Sequence, residues 1–199
     1  MSHITPAEQA QLRLVAESVR DAFEASGFTV DLALGMHEDF QQTKVPASGL
    51  ERSLAVGAAR RAAQEAGLHF EGSSYLKLFS SAPGVSRQFA LKSVKVDSEG
   101  HYVATCNLNS SLLQAEPDGL FPLETWVLGY HLSSGRVVDH VVAAEIVDWE
   151  ERGNGPVDLI FGRVIELLSD QAPRRFISAY EDLEGFEIDR EEAGDSVTP

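Results

Sequence analysis

Cysteine is almost missing from this chain: Cys106 stands alone among 199 residues. A lone cysteine excludes any intrachain disulfide and any zinc site built on cysteines, and it fits a reducing compartment. Lysine is scarce as well, four residues against twelve arginines, a bias that reads as codon usage rather than mechanism. Bases together number 16 against 31 acids, a formal net charge of −15. Nucleic-acid binders concentrate Lys and Arg on one face to displace counterions from phosphate. Here the largest basic groups are pairs such as Arg60-Arg61 and Arg174-Arg175, so neither nucleic acid nor an anionic membrane is an expected partner. No apolar run approaches the roughly 20 residues needed to span a bilayer. The first eight residues lack the basic and apolar regions of a secretory signal. The expectation is a cytoplasmic protein.

Catalytic signatures are absent too. No G-x-S-x-G, G-x-x-x-x-G-K-[ST] or G-x-G-x-x-G string occurs. Ser74 and Lys77 match S-x-x-K, but that motif needs a helix to set both side chains on one face, and this segment alternates like a strand. His37-Glu38-Asp39 are adjacent polar residues with no further ligands marked elsewhere. Glu145, Asp148, Glu150 and Glu151 group near a glycine-rich turn, where acids are normally solvated. Cys106 reads as a small core residue within a strand. The sequence therefore predicts no catalytic residues, no metal ligands and no cofactor.

What is present is a patterned globular chain. Thr5-Pro6-Ala7-Glu8 forms a capping box, and Leu12, Val15, Ala16, Val19, Ala22 and Phe23 follow at helical spacing up to Gly27. Residues 28–34 place Phe28, Val30, Leu32 and Leu34 at alternate positions, which predicts a strand. A polar loop and a second helix from about Ser48 to Ala66 come next, the helix with an inner face of Leu50, Leu54, Ala58 and Ala62. Residues 74–81 read as a strand, and two hairpins follow, over 89–108 and 125–149. In the second, pairing Leu132 with Arg136 sets Tyr130 opposite Val138, Leu128 opposite His140 and Trp126 opposite Val142. Val157, Ile160, Phe161, Val164, Leu167 and Leu168 predict a third helix, and Phe176, Ile177, Tyr180 and Leu183 a fourth.

Hairpin-linked strands flanked by helices predict an α+β fold, with a single antiparallel, strongly curved sheet of about six strands and helices packed on one face. Residues 1–186 form one domain in this reading. Residues 187–199 are an acidic tail with too little apolar content to fold. The acidic surface and the missing motifs favour a non-catalytic protein-binding module, whether adaptor, chaperone-like or immunity-like. Its partner would be another protein, of basic character, with a homodimer also open to it. The alternative is a small-molecule cup, or an enzyme with its pocket between sheet and helix, lined by Trp126, Tyr130 and His140.

Overall fold

A computed structural model describes residues 3–73, 75–82, 84–110, 112–113, 123–151, 153 and 156–169. Helix α1, Pro6–Ser26, begins as its capping box dictates. The Thr5 hydroxyl accepts from the Glu8 amide at 3.2 Å, and the Glu8 carboxylate accepts from the Thr5 amide at 2.8 Å. Its stripe Leu12, Val15, Ala16, Val19 and Phe23 is buried. Helix α2, Phe28–Gly35, follows after Gly27, and a single 3-10 turn spans Glu38–Phe40. Helix α3, Val45–Glu65, starts three residues before the Ser48 start expected. It buries Ala55, Ala58, Ala59, Ala62 and Ala63, small side chains that allow close approach to α1. The pair runs antiparallel: Gln11 donates to the Ala66 carbonyl at 2.9 Å, and Ser18 to that of Ala58 at 3.2 Å.

Eight strands follow: β1 His69–Glu71, β2 Lys77–Ala82, β3 Val85–Val96, β4 Tyr102–Val103, β5 Thr105–Asn107, β6 Leu123–Leu132, β7 Val138–Glu151 and β8 Pro156–Ser169. They form one mixed sheet in the order β1-β2-β3-β6-β7-β8-β5, with β4 added beside β3. The fold is α+β, but the sheet is neither purely antiparallel nor six-stranded. β3 and β6 run parallel, with Phe89 beside Trp126 and Leu91 beside Leu128. The expected hairpin over 89–108 pairs only at its tip, Lys95–Val103 and Val96–Tyr102, before the chain leaves β3 altogether. It continues as β5 against β8, which lies on the far side of β6 and β7. The outer halves of β7 and β8 therefore curl over the sheet face away from the helices. There Val157 and Leu159 meet Ala90, Val94, Val127, Ala104 and Cys106 in a second apolar cluster.

Three further expectations are corrected. Residues 28–35 are helical rather than a strand, because Gly27 keeps right-handed helical angles and carries the chain from α1 into α2. Residues 156–169 are a strand rather than a third helix. The β7–β8 register shifts at Val141/Val142, Ala144/Ile146 and Ile146/Asp148; the first two place an extra residue on the 156–169 strand and break its period-two pattern, and the third places one on β7. A strand interrupted in this way spaces its apolar residues much as a helix does. Val157, Ile160, Val164 and Ile165 are β-branched besides, which favours extended backbone. Finally, the β6–β7 register is displaced: Leu128 faces Ala143, Trp126 faces Glu145 and Tyr130 faces Val141. The turn is longer than the three-residue loop expected, since the Ser133 amide donates to the Val137 carbonyl at 2.9 Å and Arg136 adopts φ 58°. The expected fourth helix and the acidic tail lie outside the described residues.

The principal core lies between the helices and one sheet face: Leu76, Leu78, Phe89, Trp126, Leu128, Tyr130, Val141 and Leu167 pack on the α1 and α3 stripes. An ion cluster closes one end of it. The Arg87 guanidinium is fully buried and donates to Glu8 at 2.8 and 2.9 Å and to Glu124 at 2.7 Å.

Candidate functional site

The three residues expected to line a pocket do not meet. Trp126 is fully buried beneath the helices, stacked near Phe89 with ring centroids 6.0 Å apart. The Arg163 guanidinium lies 5.3 Å from its ring centre. Tyr130 shares that face and packs on Phe23. Burial, helped by the nearby Glu51 charge and opposed by Arg52, pushes its phenol up to about 12. His140 stands on the other sheet face, opposite His131 rather than Leu128. Its Nδ1 lies 3.0 Å from the Glu166 carboxylate, and the Tyr102 ring meets it edge-on. The displaced register separates them, since the three-residue shift along β7 reverses the face on which His140 falls.

The other candidates are resolved by their surroundings. His37, Glu38 and Asp39 lie on an exposed turn, and the His37 ring accepts from the Asp39 amide at 3.3 Å. Glu145 is held by Arg163 at 2.8 Å, while Asp148, Glu150 and Glu151 are exposed. Cys106 is buried in the second cluster, where burial pushes its thiol up against the opposing influences of Lys92 and Ser110. Among the described residues no group of His, Cys, Asp or Glu is arranged to hold a metal ion. No helix among them is long and apolar enough to cross a membrane.

The surface holds a feature the sequence reading placed in the core. Of the four apolar residues of the expected strand, only Val30 is buried. Phe28 is 66% exposed and Leu32 68%. Met36 is 79% exposed, and Phe40, Val45 and Leu50 continue the apolar surface through the 3-10 turn to the start of α3. Isolated exposed apolar side chains are ordinary, but large ones grouped along one short stretch mark an interaction surface. Phe40 and Leu50, with Ala33, Leu34 and Pro46, wall a shallow depression of about 460 Å³.

Local chemistry explains why this surface forms. α2 carries apolar residues all around its circumference, between Thr29 and Asp31, so an eight-residue helix touching the body along one edge leaves most of its side chains outside. It is held by Val30 and by Asp31, whose carboxylate pairs with Arg136; Arg136 in turn donates to Glu51 of α3 at 3.0 Å. Glu38 and Asp39 border the apolar surface and are exposed. Alternation in the sequence signalled apolar residues correctly but could not reveal that nothing covers them.

No family model matches the chain, and no curated protein or solved structure is significantly similar to it.

Proposed function

We propose that the protein is a non-catalytic protein-binding module whose docking surface is α2, the 3-10 turn and the start of α3. The observation that carries this reading is the run of exposed Phe28, Leu32, Met36, Phe40, Val45 and Leu50, the fourth and last of which also wall an apolar depression. Its occupant is a segment of another protein with an apolar face and a basic border. The apolar face fits the depression as a helix fits a groove. The basic border complements Glu38 and Asp39 and, at longer range, the net charge of −15.

A synthetic amphipathic helix of leucine and lysine, titrated into the full chain, tests the chemistry directly. Saturable binding is expected, with loss in the Leu32→Glu/Met36→Glu double variant while the melting temperature holds, because both side chains are already exposed. Photocrosslinking from position 36 in the source cells then supplies the natural partner's identity. Equal binding by the double variant overturns the proposal, as does no binding at all. A dimer in sedimentation that the double variant dissolves would assign the surface to a second copy instead.

A further inference from the structure

Three of the four lysines of this acidic chain lie along one groove on the opposite side of α3. β2 pairs with β3 only as far as Lys77–Ala90, and β4 resumes pairing at Lys95. The Leu91 amide still donates to the Leu76 carbonyl at 3.0 Å, but beyond it the β3 edge has no neighbouring strand on that side among the described residues, and the start of α3 stands over the gap. Two adjoining cavities fill it, of about 450 and 560 Å³. Arg52, Tyr75, Leu91, Lys92 and Thr105 border both; Lys95 borders the first and Lys77 the second.

The charges in this groove are unbalanced. No lysine takes part in an ion pair among the described residues. The two carboxylates on the walls are engaged elsewhere: Glu51 with Arg136, and Asp97 with the amides of Glu99 and His101, each at 2.9 Å. Arg52 is braced rather than neutralised, its guanidinium 5.1 Å from the Tyr75 ring centre. Lys92 is half-buried beside Cys106. Burial holds its ammonium below the ordinary lysine range, with Cys106 opposing and Arg52 adding to the effect. A desolvated cation without a counter-charge is costly, and the feature that relieves it is an anion.

We infer that this groove binds a compact small-molecule polyanion, an organic phosphate or polycarboxylate, with Lys92 at its centre and Arg52, Lys77 and Lys95 around it. The cavities have the volume of small-ligand sites, and Arg52 offers a planar fork suited to either anion. The site is separate from the apolar docking surface.

Calorimetric titration of the full chain with inorganic pyrophosphate, and separately with citrate, tests it at low salt and again at 0.5 M. Saturable binding of at least one probe is expected, and the stronger of the two identifies the anion class. Lys92→Met and the surface variant Lys95→Ala should each weaken it about tenfold, with unchanged far-ultraviolet circular dichroism. Lys44→Ala, outside the groove, should leave it unchanged. Lys95 is exposed, so its variant reports on binding even if Lys92→Met fails to fold. No binding at millimolar probe overturns the inference, and so does equal loss in all three variants.

Discussion

Replacement of Glu8 tests the physical basis of the fold most sharply, because one carboxylate joins three elements. On α1 it completes the capping box. On β2 the Ser80 hydroxyl donates to it at 2.5 Å, and on β3 the buried Arg87 donates to both its oxygens. Glu8→Ala would remove the two hydrogen bonds that Arg87 donates to this carboxylate and keep the one to Glu124. Removing one partner of a buried ion pair costs about 3–5 kcal/mol when the remaining charge is stranded in low dielectric; Arg87 keeps Glu124, so the lower end of that range applies here. Loss of the Glu8 half of the capping box adds up to about 1 kcal/mol. Against a total stability of roughly 5–15 kcal/mol, the variant should melt well below the parent or fail to fold. Glu8→Gln keeps the shape and an acceptor but not the charge, so it should fall between. Urea denaturation followed by circular dichroism measures both.

The same residue predicts a pH dependence. Burial by itself would raise the Glu8 carboxyl, but hydrogen bonds from Ser80, from the Thr5 amide and from Arg87 outweigh it and hold the group below its ordinary value. A carboxyl depressed on folding stabilises the protein at every pH above its unfolded value, near 4.5. That contribution disappears as pH falls through the lower folded value. Parent and Glu8→Gln stabilities should therefore converge with acidification below that point. A Glu8→Ala variant within about 0.5 kcal/mol of the parent at pH 7 would refute the ion-cluster argument, since ordinary surface substitutions change stability by no more than that.

Other outcomes follow from particular contacts. Gly129→Ala would set a Cβ 2.5 Å from a Val94 methyl, and this overpacking should cost about 1–3 kcal/mol in a denaturant titration. Cysteines at positions 131 and 140 should crosslink readily on oxidation because the two residues are direct partners across β6 and β7. The pair at 128 and 140 should not, and the reverse result would restore the expected hairpin register. Lys92 loses its charge at lower pH than an ordinary lysine, so pyrophosphate affinity should weaken as pH rises through that depressed value. Cys106 becomes anionic only above its ordinary range, and Lys92→Met should abolish the step in calorimetry.

Local chemistry alone was enough for the first helix: a hydroxyl, a proline and a carboxylate at fixed spacing satisfy their own backbone amides, and the Leu12–Phe23 stripe needs no knowledge of its partner. The mixed α and β content, the strand character of residues 77–81 within the 74–81 expected, and the buried role of Cys106 were legible for the same reason. Periodicity failed where an apolar pattern fitted two backbones. Residues 28–35 alternate, yet they extend a helix, and residues 156–169 keep helical spacing only because bulges interrupt a strand. The neighbour of a strand is not written in its own residues, so the parallel β3–β6 pairing and the passage of 102–107 from β3 to β8 belong to tertiary structure. Both surfaces of interest share that origin. Hydrophobicity identified Phe28 and Leu32 but not their exposure, and no linear pattern connects Arg52 with Lys77, Lys92 and Lys95. Composition and short-range spacing decide which groups exist, whereas long-range packing decides which of them are left uncovered or unpaired.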